Sequence, residues 1–471
     1  MKQLSRRILE IAAPILLLLV CFTYGVALKG DPVTPSPDSS PLAPTPPMGW
    51  NSWDSYGESV SEKDFREIAH IMSERLKPHG WQYVVVDMGW YVTNHEAGSN
   101  TAKAQFSMDS FGRFLPPTNT FPSAANGAGF KPLAGYVHSL GLKFGIHILR
   151  GIPREAVTRN LPIAGTGFHA ADAADTADAC PWNTYMYGLK TGEPAAQAYY
   201  DSIAHLYADW GVDFIKVDCI ASHPYKPDEI RLLSNALRKT GRPILLSLSP
   251  GPAPLDKAQE LSQYANMWRI SDDVWDIWHS TSDFPRGPAN QFDLTAKWAA
   301  TGASGPGHWP DADMLPFGSL KPAPGWGDAR ESRLTHDEQR TQFTLWCIFR
   351  SPLMMGGNLL ALPGDSWTTA LLTNDEAIAV DQHSNQARAV VSNASEAIWL
   401  SRPDGSKDFN LAVFNLEATP QTIHSSWNDL GLTAARYSLR DLWEHKDLPA
   451  ADSLNVALPP HGSVLYRLKA R

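Results

Sequence analysis

Short β-rich apolar runs recur along the chain, with helix-length segments between them. "YVVVDMGW" (83–90), "KFGIHI" (143–148), "DFIKVD" (213–218), "PILLSLS" (243–249) and "NMWRIS" (266–271) read as buried strands. Between them "EKDFREIAHIMSERL" (62–76) and "DEIRLLSNALRKT" (228–240) carry helical spacing. "MGWNSW" (48–53), "GHWPDADM" (307–314) and "SPLMMGG" (351–357) supply three more strands. Alternation of strand and helix predicts a parallel sheet, and eight strands fit a closed barrel better than an open doubly wound sheet. No G-x-G-x-x-G or Walker motif follows any strand, which weighs against a nucleotide-binding sheet. From residue 386 the texture changes: "RAVVSN", "AIWLSR", "FNLAVFNL", "YSLRDLW" and "SVLYRLK" are short alternating strands. The predicted fold is therefore α/β, a (β/α)8 TIM barrel over 46–385 followed by a C-terminal antiparallel β-sandwich over 386–471.

One of these strands is chemically odd. In "DFIKVDCI" (213–220), Lys216 and Asp218 stand two apart, so their side chains share a face of a core strand. An isolated pair of this kind reads as a structural ion pair. The other strands change that reading. Asp87, His147, Asp218 and Ser249 fall at or just past the C-terminal ends of their strands, Arg269 and Asp273 flank the next end, and Asp311 and Asp313 close the one after. In a TIM barrel the active site is built on that rim. Carboxylates facing each other across a pocket, with no H-x-H or H-E-x-x-H motif, point to glycoside hydrolysis rather than to a metal-dependent hydrolase built on Asp311, Asp313 and His308. Lys216 would keep Asp218 ionised, as a nucleophile needs. The general acid lies in "RISDDVWDIW" (269–278), where Trp275 and Trp278 would surround a carboxyl with apolar groups. The residues alone do not choose between Asp272 and Asp273.

Composition narrows the class. A net charge of −9 without a basic patch argues against a nucleic-acid partner, and 17 Trp residues suit stacking on sugar faces as well as core filling. Arg6 and Arg7 precede the apolar run 11–24, and Gly25-Val26-Ala27 offers a cleavage site, so 1–27 reads as a signal peptide and the protein as secreted or periplasmic. An uncleaved membrane anchor is the competing reading of the same run. Residues 28–45 read as a Pro/Ser-rich linker. After cleavage Cys180, Cys219 and Cys347 remain; there is no C-x-x-C, and Cys347 falls in an apolar helical pattern as a buried thiol.

These motifs together resemble glycoside hydrolase family 27, the α-galactosidase/melibiase family of clan D. "PPMGWNSW" (46–53) is similar to its opening motif, "DFIKVD" to its nucleophile strand and "WRISDD" (268–273) to its acid/base segment. "GHWPDADML" (307–315), "RSPLMMGGNL" (350–359) and "LLTNDEAIAVDQ" (371–382) resemble its late-barrel signatures and barrel exit. The resemblance implies Asp218 as nucleophile and Asp273 as acid/base. It implies Trp53, Asp87, Lys216, Arg269 and Asp313 as substrate-binding residues, with His147 and Ser249 at positions where α-galactosidases usually carry Tyr and Glu. It implies a retaining double displacement without cofactor or metal, and a disulfide between Cys180 and Cys219. The paired aspartates that contact the sugar's 4- and 6-hydroxyls in α-galactosidases read here Asp87-Met88. α-D-Galactosides are the first expected substrates, β-L-arabinopyranosides and isomalto-type α-glucans the alternatives. A carbohydrate-binding protein without catalysis is the non-enzyme alternative, opposed by the presence of both carboxylates with Lys216 and Arg269.

Overall fold

Eight short parallel strands run around one sheet, in a computed structural model that describes residues 42–94, 103–322 and 326–471. They are β1 (Met48–Asn51), β2 (Tyr83–Val86), β3 (Lys143–Leu149), β4 (Phe214–Asp218), β5 (Leu245–Leu248), β6 (Met267–Arg269), β7 (Trp309–Asp311) and β8 (Leu353–Met355). Each pairs with its neighbour in sequence from β1 to β7, and β8 returns to β1, Met48 facing Leu353. The ring closes through Leu315, just past β7. Its N–H donates to Met354 O at 2.8 Å, and its carbonyl accepts the Gly356 N–H at 3.0 Å. The principal helices of the connections are α1 (Glu62–Arg75), α2 (Lys131–Ser139), α3 (Pro194–Trp210), α4 (Pro227–Lys239), α5 (Ala258–Tyr264), α6 (Gln291–Ala300) and α7 (His336–Phe349), with α8 (Asp375–Gln382) after β8. All eight expected barrel strands are present, and the fold is the (β/α)8 barrel. The expected signal peptide and the linker up to residue 41 lie outside the described residues. Among the described residues no helix is long and apolar enough to cross a membrane.

The helices form for local reasons and stay for packing. Ser61 caps α1 by accepting the Asp64 N–H, and Phe65, Ile68, Ala69 and Met72 present one buried stripe to the strands. Between strands and helices lies the main apolar layer, with Trp50, Val84, Val86, Ile146, Ile215, Val217, Leu246 and Trp268 among its members. Inside the ring the strands follow a second rule. Inward positions near the start are apolar, with Tyr83, Val85, Phe214, Leu245, Met267 and Trp309 forming a compact plug. Two residues further along the same faces, side chains become polar: Asp87 after Val85, Lys216 and Asp218 after Phe214, Arg269 after Met267, Asp311 after Trp309. The plug fills the bottom of the barrel and the polar set crowns it. Gly145 is needed where β3 passes between β2 and β4, since a Cβ there would stand 2.8 Å from a Val85 methyl and 3.0 Å from Phe214 Cβ.

From Ser384 the chain builds two antiparallel sheets, of six strands and of two, around their own apolar cluster. Five strands were expected. Three more, Gln421–Ser426, Lys446–Ala451 and Ser453–Leu458, complete the sandwich. Its nearest barrel element is α7, capped by a reciprocal Thr335/Glu338 box and buried along most of its length. Thr341 Oγ1 donates to His461 O at 2.7 Å, Trp443 Nε1 donates to Thr344 Oγ1 at 3.0 Å, and the Phe292 and Phe414 rings meet edge-on at 5.0 Å. Trp399, Phe414 and Leu465 of the sandwich thus belong to the same continuous buried cluster as the barrel wall. A shared core predicts that the two parts unfold together. Phe414→Ala should cost about 3–5 kcal/mol, the usual toll of emptying a phenylalanine site. Calorimetry should record one lowered transition for barrel and sandwich; two separated transitions would refute the coupling.

Candidate active site

The crown of polar residues lines a cavity of about 420 Å³, within the range of small-molecule sites. Trp53, Asp87, Lys216, Asp218, Arg269, Asp273 and Asp313, all expected from the sequence, line it. Met88 and Asp272 do so as well. His147 and Ser249 stand behind this wall rather than on it. His147 is fully buried, with Nε2 3.3 Å from Asp218 Oδ2, and Ser249 borders a small space deeper in the barrel.

Lys216 and Asp218 share a face of β4, as their spacing requires, but their closest partners are on other strands. Lys216 Nζ donates to Asp87 Oδ2 at 3.0 Å, an oxygen that also accepts Asn51 Nδ2 at 2.6 Å. Asp87 Oδ1 accepts the Met88 N–H at 2.8 Å. Burial alone would raise Asp87, but Lys216, His147 and these donors outweigh it and hold the carboxyl well below its usual range. Lys216 mirrors this: burial disfavours its charge, yet Asp87, Asp218 and Asp273 keep the ammonium protonated far above neutrality. Asp218 Oδ1 accepts the Cys219 N–H at 2.9 Å. Against the cost of burial, His147, Lys216 and that N–H hold Asp218 below the ordinary carboxylate range. It is ionised at neutral pH.

The opposite wall is organised by Arg269. Its Nη2 lies 2.7 Å from Asp313 Oδ2 and 3.2 Å from Asp273 Oδ1, and donates to Ser271 O at 3.0 Å. Burial, with the neighbouring Asp273 and Asp311 carboxylates, outweighs the pull of Arg269 and the Val274 N–H and raises Asp313 to about 7. With two donors on one oxygen, at 2.6 and 2.7 Å, the geometry is that of an ionised carboxylate, and Arg269 is raised correspondingly. Asp272 faces His223, whose Nε2 is 3.2 Å from Oδ1, and burial raises its pKa. Asp273 is the more open of the two adjacent carboxyls, its side chain 37% exposed against 15% for Asp272. Trp275 lines the cavity as expected, but Trp278 does not surround the acid, because its ring stacks on His461 at 4.2 Å.

The long excursion between β3 and α3 is tied back to the barrel. Cys180 and Cys219 form a disulfide with Cα atoms 6.0 Å apart, and Cys347 is a buried free thiol. Arg150, itself buried, donates from Nε to Cys219 O at 2.7 Å and pairs with Asp178 and Glu229 at 2.9 and 2.8 Å. Next to Cys180, Trp182 reaches the cavity rim, and Asn183 Nδ2 lies 3.8 Å from Met88 Sδ. Trp182, His223, Phe284 and Asp54 also line the cavity and were not singled out in the sequence. The first three sit on connections whose folding back no local pattern announces. Asp54 reads locally as an ordinary first-turn helix acid.

The family model described as "Alpha galactosidase A" matches residues 184–383, and the one described as "Alpha galactosidase C-terminal beta sandwich domain" matches 395–468. The chain is 31% identical to alpha-galactosidase 3 of Arabidopsis thaliana over 437 residues, covering 91% of this chain and 82% of that one. It is 48% identical to a β-L-arabinopyranosidase of Geobacillus stearothermophilus of solved structure, covering 91% and 97% of the two chains with a TM-score of 0.84. A variant of that enzyme solved with arabinose gives 47% identity and a TM-score of 0.85.

Removing Lys216 tests the charge balance of the cavity. Lys216→Met leaves Asp87 buried without its cation and should cost about 3–5 kcal/mol at pH 7. Asp87 is depressed in the folded protein, so the stability it contributes is present above its unfolded pKa and lost as pH falls through the folded one. The gap between wild type and variant should therefore narrow on acidification. Urea unfolding at pH 7 and near pH 3, below the unfolded carboxylate pKa of about 3.9, measures it; a constant gap would contradict the pairing.

Proposed function

The chain belongs to glycoside hydrolase family 27, the α-galactosidase/melibiase family, and from that premise we propose a retaining exo-glycosidase that releases a terminal pyranose of galacto ring configuration. It is a glycosidase, and the observation that carries the mechanism is the state of Asp218. That carboxylate is ionised, backed by His147 and the Cys219 N–H, and presented to a pocket bordered on its far side by Asp273. In this reading Asp218 attacks the anomeric carbon while Asp273 protonates the leaving oxygen. Asp273, now a carboxylate, then takes a proton from water as water displaces Asp218. Attack on one face and then the other restores the starting configuration. Lys216, Asp87, Arg269 and Asp313 hold the hydroxyls, Trp53 lies against the ring, and His147 acts from behind by orienting Asp218. Ser249, beneath the wall, supports it. No step calls for a cofactor. The N-terminal pattern and the disulfide support export.

Met88 supports a particular substrate range. In α-galactosidases the second of the paired aspartates contacts the sugar; here a thioether, steadied by Asn183, stands at that position. It cannot accept a hydroxyl hydrogen bond, so nothing buried is left unpaired when the 6-hydroxymethyl group is missing. The enzyme therefore takes β-L-arabinopyranosides alongside α-D-galactosides, a reading also supported by the 48% identity to an arabinopyranosidase.

Asp218→Gly should fold yet lose nearly all turnover, and azide should partly restore reaction on an activated substrate, giving a glycosyl azide of inverted configuration. Asp273→Ala should impair poor leaving groups far more than nitrophenolate, and the first sugar released by wild type should retain configuration by proton NMR. If Asp272→Ala shows the leaving-group selectivity instead, the raised neighbour is the acid. Wild type should turn over nitrophenyl α-D-galactoside and β-L-arabinopyranoside with comparable kcat/KM. Met88→Asp should shift the ratio toward galactoside by about tenfold, the worth of one recovered hydrogen bond. A wild-type preference for galactoside of several orders of magnitude would show that other residues read the hydroxymethyl group.

A further inference from the structure

Asp54 has no task in the double displacement, yet it lies in the cavity. It follows Trp53 in a single helical turn, Trp53–Tyr56, and lines the wall with Trp53, Asp87, Lys216 and Asp313. The residue is 3% exposed, and its Oδ2 is buried with no hydrogen-bond partner among the described residues. Asp381, away from the cavity, also has an unpartnered Oδ1, but its Oδ2 accepts Gln382 Nε2. Two other buried acids are satisfied through several donors. Asp87 accepts Lys216, Asn51 and a backbone N–H, and Asp276 accepts Arg330 and Arg333. Asp54 instead packs against Gly356, just past β8, where a Cβ would collide with Oδ2. An ionised carboxyl without donors in a buried place is too costly to persist, whereas the neutral acid is tolerable. The groups facing it push the same way. Burial is the largest influence, the Asp313, Asp273 and Asp87 carboxylates add to it, and Lys216 alone opposes. A neutral acid carries one O–H donor, which the neighbouring carboxylates do not have.

We propose that Asp54 is a sugar-contacting residue of the pocket, a protonated carboxylic acid that donates its hydrogen bond to one hydroxyl oxygen of the bound pyranose. The assignment rests on the glycosidase reading above. It adds an uncharged donor to a pocket whose ionised carboxylates accept from sugar hydroxyls and whose Lys216 and Arg269 donate as cations. A hydroxyl that donates to Asp87 or Asp313 while accepting from Asp54 would be satisfied in both directions, and a sugar lacking it would leave Asp54 buried and unpaired.

The test compares wild type and Asp54→Ala on a nitrophenyl glycoside that wild type hydrolyses and on its monodeoxy analogues. The variant should lose about tenfold to a hundredfold in kcat/KM on the parent glycoside. For one analogue the penalty seen with wild type should nearly vanish in the variant, because the partner of the missing hydroxyl is already gone. Equal penalties in both proteins for every analogue would overturn the contact, as would an unchanged kcat/KM on the parent. Infrared difference spectra of wild type and Asp54→Asn provide a reading that does not depend on the alanine variant folding. A protonated-carboxyl band that moves when free sugar is added, and is missing in Asp54→Asn, is expected. Absence of that band, or a band indifferent to sugar, would overturn the proposal. Turnover of the parent by wild type is the control that separates this outcome from failure of the glycosidase reading, in which wild type itself would be inactive.

Discussion

The ammonium of Lys216, 3.0 Å from Asp87 and flanked by Asp218, allows several acids to crowd into one small cavity. Six aspartates line that cavity, Asp54, Asp87, Asp218, Asp272, Asp273 and Asp313, against two permanent cations, Lys216 and Arg269. Like charges at such range disfavour one another strongly in a low-dielectric site. The excess is resolved by division of labour. Lys216 keeps Asp87 and Asp218 ionised and Arg269 does so for Asp313, while burial pushes Asp54 and Asp272 toward the neutral acid. The pocket thus holds ionised and neutral carboxyls side by side because two cations are placed among them.

The barrel was legible because its strands obey a rule that a sequence displays. Inward faces change from apolar to polar as each strand nears its C-terminal end, Val85 to Asp87, Phe214 to Lys216, Met267 to Arg269. The helix spacing between them confirms the parallel winding. In the sandwich the rule weakens. Gln421–Ser426 buries only Ile423, and Lys446–Ala451 buries none of its residues, so neither carries the alternation that marks a strand. The site was legible where side chains sit on strands and obscure where loops bring them in. Trp182 and Phe284 reach the rim from connections, His147 lies behind Asp218 rather than on the cavity surface, and Trp278 stacks on His461 instead of lining the cavity. These outcomes depend on contacts between distant segments, to which local patterns are blind.

The excursion after β3 ties the cavity rim to the strand end that bears Asp218. Arg150 grips Cys219 O and the excursion's Asp178 at once, the disulfide joins the same two places, and Asn183 rests near Met88. The cavity wall around Met88 and the strand end that bears Asp218 are therefore parts of one braced unit. A change in the excursion alters both the shape of the pocket and the aim of the carboxylate.

Closure of the ring sets a condition on how the chain comes to be folded. β1 lies between β2 and β8, and Met48 meets Leu353 about 300 residues later. Trp50 Nε1 donates to Gly357 O across a similar span. At the usual pace of synthesis, on the order of 5–20 residues per second, the first strand waits roughly 15–60 s for its second neighbour to be made. Until then one edge of the sheet and the apolar plug behind it are open to water and to other chains. Long-range closure of this kind is slow as well as late. Protection of the unfinished barrel during that interval is therefore a requirement separate from the stability of the finished one, and chaperone supply or slower expression acts on it directly.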